Sequence, residues 1–256
     1  MIQIKYGLIL LLISTLMACG EATVKQKEEA KRDKNAAVIN AQLASGYIRR
    51  GDLEIAEEKL LKAIKLDDTY VPAYTTLAVL KTMIGDIVEA ENYYLEALNL
   101  DPRNPELHNN YGTFLCDTGK LDEAFEQFDI ALRNQFYNTP EAAHANLGYC
   151  MLQVKSPDFK NAEKHLRAAL KVNPNLSSAL LAMGELGVRS TKYLMARAYM
   201  QRYHSNTTPT AYSLWLQIQA EHALGDKHNF VKLSKSLLED FPESPEAEKV
   251  MELSYK

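Results

Sequence analysis

Residues 71–104 read VPAYTTLAVLKTMIGDIVEAENYYLEALNLDPRN, and this stretch decides the fold. Apolar and small residues recur at helical spacing over Tyr74–Met83 and again over Val88–Leu100, which predicts two helices. Gly85-Asp86 separates them, and Gly85 supplies the positive φ that a tight reversal needs. Asp101-Pro102 closes the unit, because proline cannot continue a helix. Ala78 and Ala90 let the two backbones approach, while Tyr74, Leu77, Tyr94 and Leu98 fill the space around the crossing.

The unit recurs on either side at a fixed step. Gly51, Gly85 and Gly119 are 34 residues apart, as are Ala56, Ala90 and Ala124, then Ala63, Ala97 and Ala131. Ala44, Ala78 and Gly112 keep the same step. A 34-residue helix pair with small residues, glycine and a closing proline in fixed places resembles the tetratricopeptide repeat. The resemblance implies an all-α fold, an α-α superhelix of about six helix-turn-helix repeats whose first helices line a groove. The expected units are 37–70, 71–104, 105–140, 141–176, 177–210 and 211–244, with 245–256 as a capping segment. The fourth carries two extra residues near Ser156-Pro157, the fifth has Thr191 where glycine is expected, and the sixth has Phe230 in place of the packing alanine.

Composition agrees with a helical, water-soluble domain. Of 256 residues, 46% are apolar and 24% charged, and only 11 are glycine. A net charge of −4 lacks the basic excess of a nucleic-acid binder. Three cysteines are too few for a disulfide scaffold.

The N-terminus reads as an address. Lys5 precedes the apolar run Leu8–Leu16, which is too short to span a bilayer and reads, over residues 1–18, as a secretory signal peptide. Leu16-Met17-Ala18-Cys19 resembles the bacterial lipobox, which implies lipidation of Cys19 and anchoring of the mature chain to a membrane through that lipid. Gly20 follows where the resemblance would place aspartate for inner-membrane retention, so the expectation is the inner leaflet of the outer membrane, with the domain in the periplasm. Residues 19–36 form a charged tether that reads as a solvated coil, about 20–25 Å from end to end.

No enzyme signature is present: no Walker loop, no nucleophile elbow and no HExxH. The six histidines are dispersed and read as surface or packing residues. The chain is therefore expected to be a non-enzymatic binding scaffold with no metal, cofactor, small-molecule substrate or nucleic acid. By repeat position, Ile48, Val79, Met83, Thr113 and Tyr149 are candidates for the groove, with Asn109, Asn110 and Asn146 beside them. For each, packing between repeats is the competing reading. A carboxylate clamp of the chaperone-binding kind is disfavoured, because Ala41, Ser45 and Thr75 stand where cations would be needed.

The segment from His108 to Cys150 carries a more specific likeness. Its Asn109-Asn110-Tyr111-Gly112 start, Tyr137 with Thr139-Pro140-Glu141, and Asn146-x-Gly148-x-Cys150 resemble the type IV pilus biogenesis/stability lipoprotein family, the pilotins of the pilus secretin. The resemblance implies a lipoprotein that binds secretin subunits and promotes their outer-membrane localisation or multimerisation. An alternative is a repeat lipoprotein that organises peptidoglycan hydrolases or synthases. Cys116 and Cys150 lie in this segment on adjacent first helices, so they are either a disulfide or two small buried side chains.

Overall fold

The computed structural model describes the backbone of residues 2–254 and the side chains of residues 26–253. Cys19 and the Leu8–Leu16 segment therefore have side chains outside the described residues. Thirteen helices and no strand occur among the described residues. No helix there is long and apolar enough to cross a membrane.

The chain divides into two compact units, Met1–Arg103 and Asn104–Lys256. The first holds α1 (Ile2–Arg50), α2 (Leu53–Leu66), α3 (Val71–Met83) and α4 (Ile87–Leu100). Helices α1 with α2 and α3 with α4 form hairpins, and α1 also packs beside α3. Their core is rich in alanine, with Ala44, Ala56, Ala63 and Ala73 closing around Leu60, Leu77 and Leu80. Lys81 is buried at the centre of an ion triad, 2.8 Å from Glu57 and 2.7 Å from Glu89. The hydrogen bonds to Glu57 and Glu89 hold its ammonium well above the usual lysine range. One cation thereby ties α2, α3 and α4.

The second unit holds α5 (Pro105–Asp117), α6 (Leu121–Arg133), α7 (Pro140–Gln153), α8 (Phe159–Val172), α9 (Ser177–Arg189), α10 (Tyr193–Asn206), α11 (Ala211–Ala223), α12 (Lys227–Asp240) and α13 (Pro245–Ser254). The first helices α5, α7, α9 and α11 pack side by side, each paired with the helix that follows it. Helix α13 covers the last pair, burying Ala247 and Val250 against Leu214, Ile218 and Leu237. Phe230 is half-buried against this same cluster, where its ring also meets His222.

Close approach within the hairpins depends on absent side chains. A Cβ on Gly148 would lie 2.7 Å from Leu166 and 3.2 Å from the carbonyl oxygen of Ala162. One on Gly187 would meet the backbone nitrogen of Ala196 at 2.8 Å.

The reversals share one geometry. In each, an amide reaches back five residues to a carbonyl, as Asp86 does to Lys81 at 2.9 Å and Lys192 to Gly187 at 2.8 Å. That closure requires one residue at positive φ. Gly51, Gly85 and Gly119 adopt φ 83°, and Gly225 adopts 71°. Thr191 adopts φ 58°, a region in which a β-branched side chain is strained. The α7–α8 connection differs: its two extra residues replace the reversal with extended backbone at Val154, and Asp158 caps α8 by accepting from the Asn161 amide.

The segment expected to be a coiled tether is instead helical. Residues 26–36 are largely exposed, as their composition requires, but they continue α1. The reason is cooperative. Once Ala37, Ala41 and Ala44 are fixed in the core, each preceding alanine, glutamate or lysine extends an existing helix with no new nucleus to form.

Replacing Thr191→Gly should relieve this strain and raise the unfolding free energy by about 1 kcal/mol, the αL penalty offset in part by added unfolded-state entropy. Urea titration followed by the fluorescence of Trp215, the sole tryptophan, would measure it. A lowered midpoint would show that Thr191 is not strained.

Candidate docking site

In the first unit, Val79 and Met83 lie one turn apart on α3, 40% and 55% exposed. Ile84 and Val88 extend the apolar surface across the turn into α4. These two were not anticipated. Their signal was an apolar residue on each side of Gly85, where a wet turn needs none. Ile48 is placed differently from the expectation: it packs against the core formed by α1, α2 and α3, so its side chain serves the hairpin. The clamp positions also stay apolar or neutral: Ala41 is buried, and the Ser45 and Thr75 hydroxyls donate to Ala41 and Val71 carbonyls.

In the second unit, the asparagines expected to line a groove instead stitch two helices together. The Asn146 amide donates to Asn109 Oδ1 at 3.0 Å and to Thr113 Oγ1 at 3.1 Å, and the Thr113 hydroxyl donates to the Asn109 carbonyl at 3.0 Å. Asn109 is buried, so its polarity is spent on α7 rather than offered to a partner. Asn110 is half-buried, and its Oδ1 accepts from Asn109 Nδ2 at 3.4 Å. Farther along the same pair, Cys116 and Cys150 form a disulfide with their Cα atoms 5.8 Å apart. Helices α5 and α7 are thus joined by a polar cluster and a covalent bond.

Asn146 and Tyr149 also face forward, into a pocket of about 290 Å³ bounded by α7, α9 and α11. Ala145, Leu181 and Ala182 give it an apolar lining, and Tyr212 stands on the α11 side. Glu185 is the one charged side chain among the lining residues, and it is almost fully buried. It receives Arg189 Nη1 at 3.0 Å, and that guanidinium also donates to the Leu152 carbonyl. The Tyr149 hydroxyl is held above the usual phenol range by burial, then by the charges of Glu185 and Asp117. Burial raises Tyr212 as well, helped by the charge and hydrogen bond of Glu185. Glu185 and Tyr212 escaped the sequence reading because they come from repeats whose templates had already weakened.

Three of the histidines serve packing. His144 Nδ1 meets His165 Nδ1 at 3.0 Å between α7 and α8, and His204 bonds Gln217 and Ser213 between α10 and α11. Burial lowers all three pKa values; for His144 the Lys164 charge adds to it, and for His165 the His144 and Lys164 charges do. Among the described residues, no group of three or more His, Cys, Asp or Glu could hold a metal ion.

Comparison with known proteins agrees with this architecture. Family models described as tetratricopeptide repeat match residues 71–104 and 93–126. The chain is 28% identical over 246 residues to the type IV pilus assembly protein PilF of Pseudomonas aeruginosa, covering 95% of this chain and 96% of that one. The crystal structure of PilW, a widely conserved type IV pilus biogenesis factor, superposes with a TM-score of 0.77 at 28% identity, over 84% of this chain and 98% of that one. The structure of Pseudomonas aeruginosa PilF gives 0.74 at 28% identity, over 86% and 98%.

Replacing Cys116→Ala together with Cys150→Ala should lower the unfolding free energy by about 4 kcal/mol, from the entropy of an open loop of 34 residues. Urea denaturation with and without reductant measures this, and an unchanged midpoint would refute the bridge. Acid should also weaken the fold. The unfolded chain takes up protons near the ordinary histidine value of about 6.5, before the buried His144, His165 and His204 do, so stability is complete above that pH and declines below it. The urea midpoint should fall between pH 7.5 and 5.5, and His165→Phe should flatten the dependence; a flat profile for the unaltered chain would contradict the assignment.

Proposed function

Because the chain belongs to the tetratricopeptide repeat proteins of type IV pilus biogenesis, we propose that it is a pilotin, an outer-membrane lipoprotein that binds secretin subunits and promotes their localisation or multimerisation. The likeness to PilF across 95% of the chain carries this reading. The lipobox at Leu16–Cys19 supports it, since diacylation with a further acyl chain would hold the domain stably on a membrane. Gly20 favours sorting to the outer membrane. The exposed Val79–Met83 surface and the pocket beside Tyr149 are the features suited to an apolar or extended partner segment. A non-catalytic scaffold is the reading that the repeat family and the pilus biogenesis relatives support.

Deletion of the gene should leave secretin as monomers or misplaced multimers and abolish pili, read by the loss of heat-resistant secretin rings from envelope fractions. Cys19→Ser should release the protein from the outer membrane and reproduce the defect. Normal rings in the deletion strain would end the pilotin reading, and co-purification with peptidoglycan hydrolases instead of secretin would favour the adaptor alternative.

A further inference from the structure

Resting on the reading of this molecule as a docking scaffold, we propose that the pocket bounded by α7, α9 and α11 receives one basic side chain, an arginine or lysine of an extended partner segment. The pocket's size suits one long side chain rather than a helix. Its chemistry is polarised: Glu185 is the one formal charge among the lining residues, and no lining residue is a cation.

Glu185 has room for a second cation. Its carboxylate accepts from Arg189, which is not itself among the lining residues, and from Tyr212. A carboxylate has about four acceptor positions, so about half remain. Its burial makes a charge reaching it count for more than on the surface. Asp117 adds a second negative charge near Tyr149, at the exposed end of α5.

The walls complete the match. Tyr149 and Tyr212 bring aromatic rings to the pocket, and a guanidinium or ammonium is drawn to such faces. Ala145, Leu181 and Ala182 offer an apolar path for the methylene stem of a long basic side chain. A partner's carboxylate would instead face Glu185 with like charge. A purely apolar side chain would cover the remaining acceptor positions of Glu185 without satisfying them.

The test uses the full chain in detergent micelles, with ¹³C-labelled tyrosine rings assigned through Tyr149→Phe and Tyr212→Phe. The probes are the blocked tripeptides acetyl-Ala-Arg-Ala-amide, acetyl-Ala-Leu-Ala-amide and acetyl-Ala-Glu-Ala-amide. The arginine peptide should shift both rings saturably, bind at least tenfold more tightly than the leucine peptide and weaken with added salt, while the glutamate peptide should shift neither. Glu185→Gln should reduce arginine binding about tenfold and leave leucine binding unchanged, its thermal midpoint confirming a folded chain. Tyr212→Leu, which leaves the carboxylate in place, should weaken the arginine peptide through loss of the ring. Equal binding of leucine and arginine, or arginine binding indifferent to Glu185→Gln, would overturn the proposal. Because no probe contains secretin, failure here is separate from failure of the pilotin reading, under which the arginine shifts would persist.

Discussion

Most of the hairpins close where one helix gives up its side chain; α11 and α12, with Ile218 and Phe230 in one cluster, are the exception. At Gly148 and Gly187 the neighbouring helix fills the space that a Cβ would occupy, and at Gly187 the obstacle is backbone, which cannot rotate aside. Alanine does the same work at Ala56, Ala90, Ala124, Ala162 and Ala196, each fully buried. This closeness explains the rest of the repeat. Helices so near each other must reverse within a few residues, so the connection closes through the five-residue backbone bond and a positive φ.

The first helices carry different surfaces in the two units, each taken by itself. In the first unit, the surface of α3 around Val79 and Met83 is apolar and exposed. In the second unit, the polar groups between α5 and α7 turn on one another, through Asn109, Thr113 and Asn146, and the disulfide locks the same pair. A buried amide without a partner costs more than a satisfied one contributes, so these asparagines are committed to each other. Within the second unit, the features left for a ligand are those of the pocket lined by Tyr149 and Glu185.

The period made the fold legible, because it is enforced at two kinds of position: helix crossings that admit only small residues, and reversals that need a positive φ. Gly51, Gly85 and Gly119 stand out for the second reason, each at φ 83°. Thr191 fills the same slot, and the structure gives it the same backbone, so the template predicted conformation where residue identity failed. The site was less legible. Helical periodicity tells which side of a helix a residue faces, but not how completely a neighbour covers it. Ile48 and Asn109 were therefore read as groove residues, although one serves the core and the other an interhelical bond. Composition likewise separates exposed from buried in residues 26–36, but cannot tell a solvated coil from a solvated helix when a packed helix follows directly. The pocket could not be seen because Tyr149, Glu185 and Tyr212 meet only after three repeats have stacked.

The stitching of the second unit bears on what its pocket can achieve. One wall belongs to α7, fixed to α5 by a covalent bond and an amide cluster. The opposite wall belongs to α11, whose buried Glu221 is held by Arg197 of α10, a guanidinium that also reaches Asp226 at the start of α12. The floor belongs to α9, where Glu185 is oriented by Arg189, itself anchored on the Leu152 carbonyl of α7. Every wall is thus constrained by contacts outside the cavity, so a ligand entering it need not order the protein. Association loses affinity mainly through groups that must be immobilised, and a pocket already held open avoids that loss. A scaffold with so little volume per site gains most from this arrangement, since a single side chain of the partner then suffices to fix the register of the whole segment.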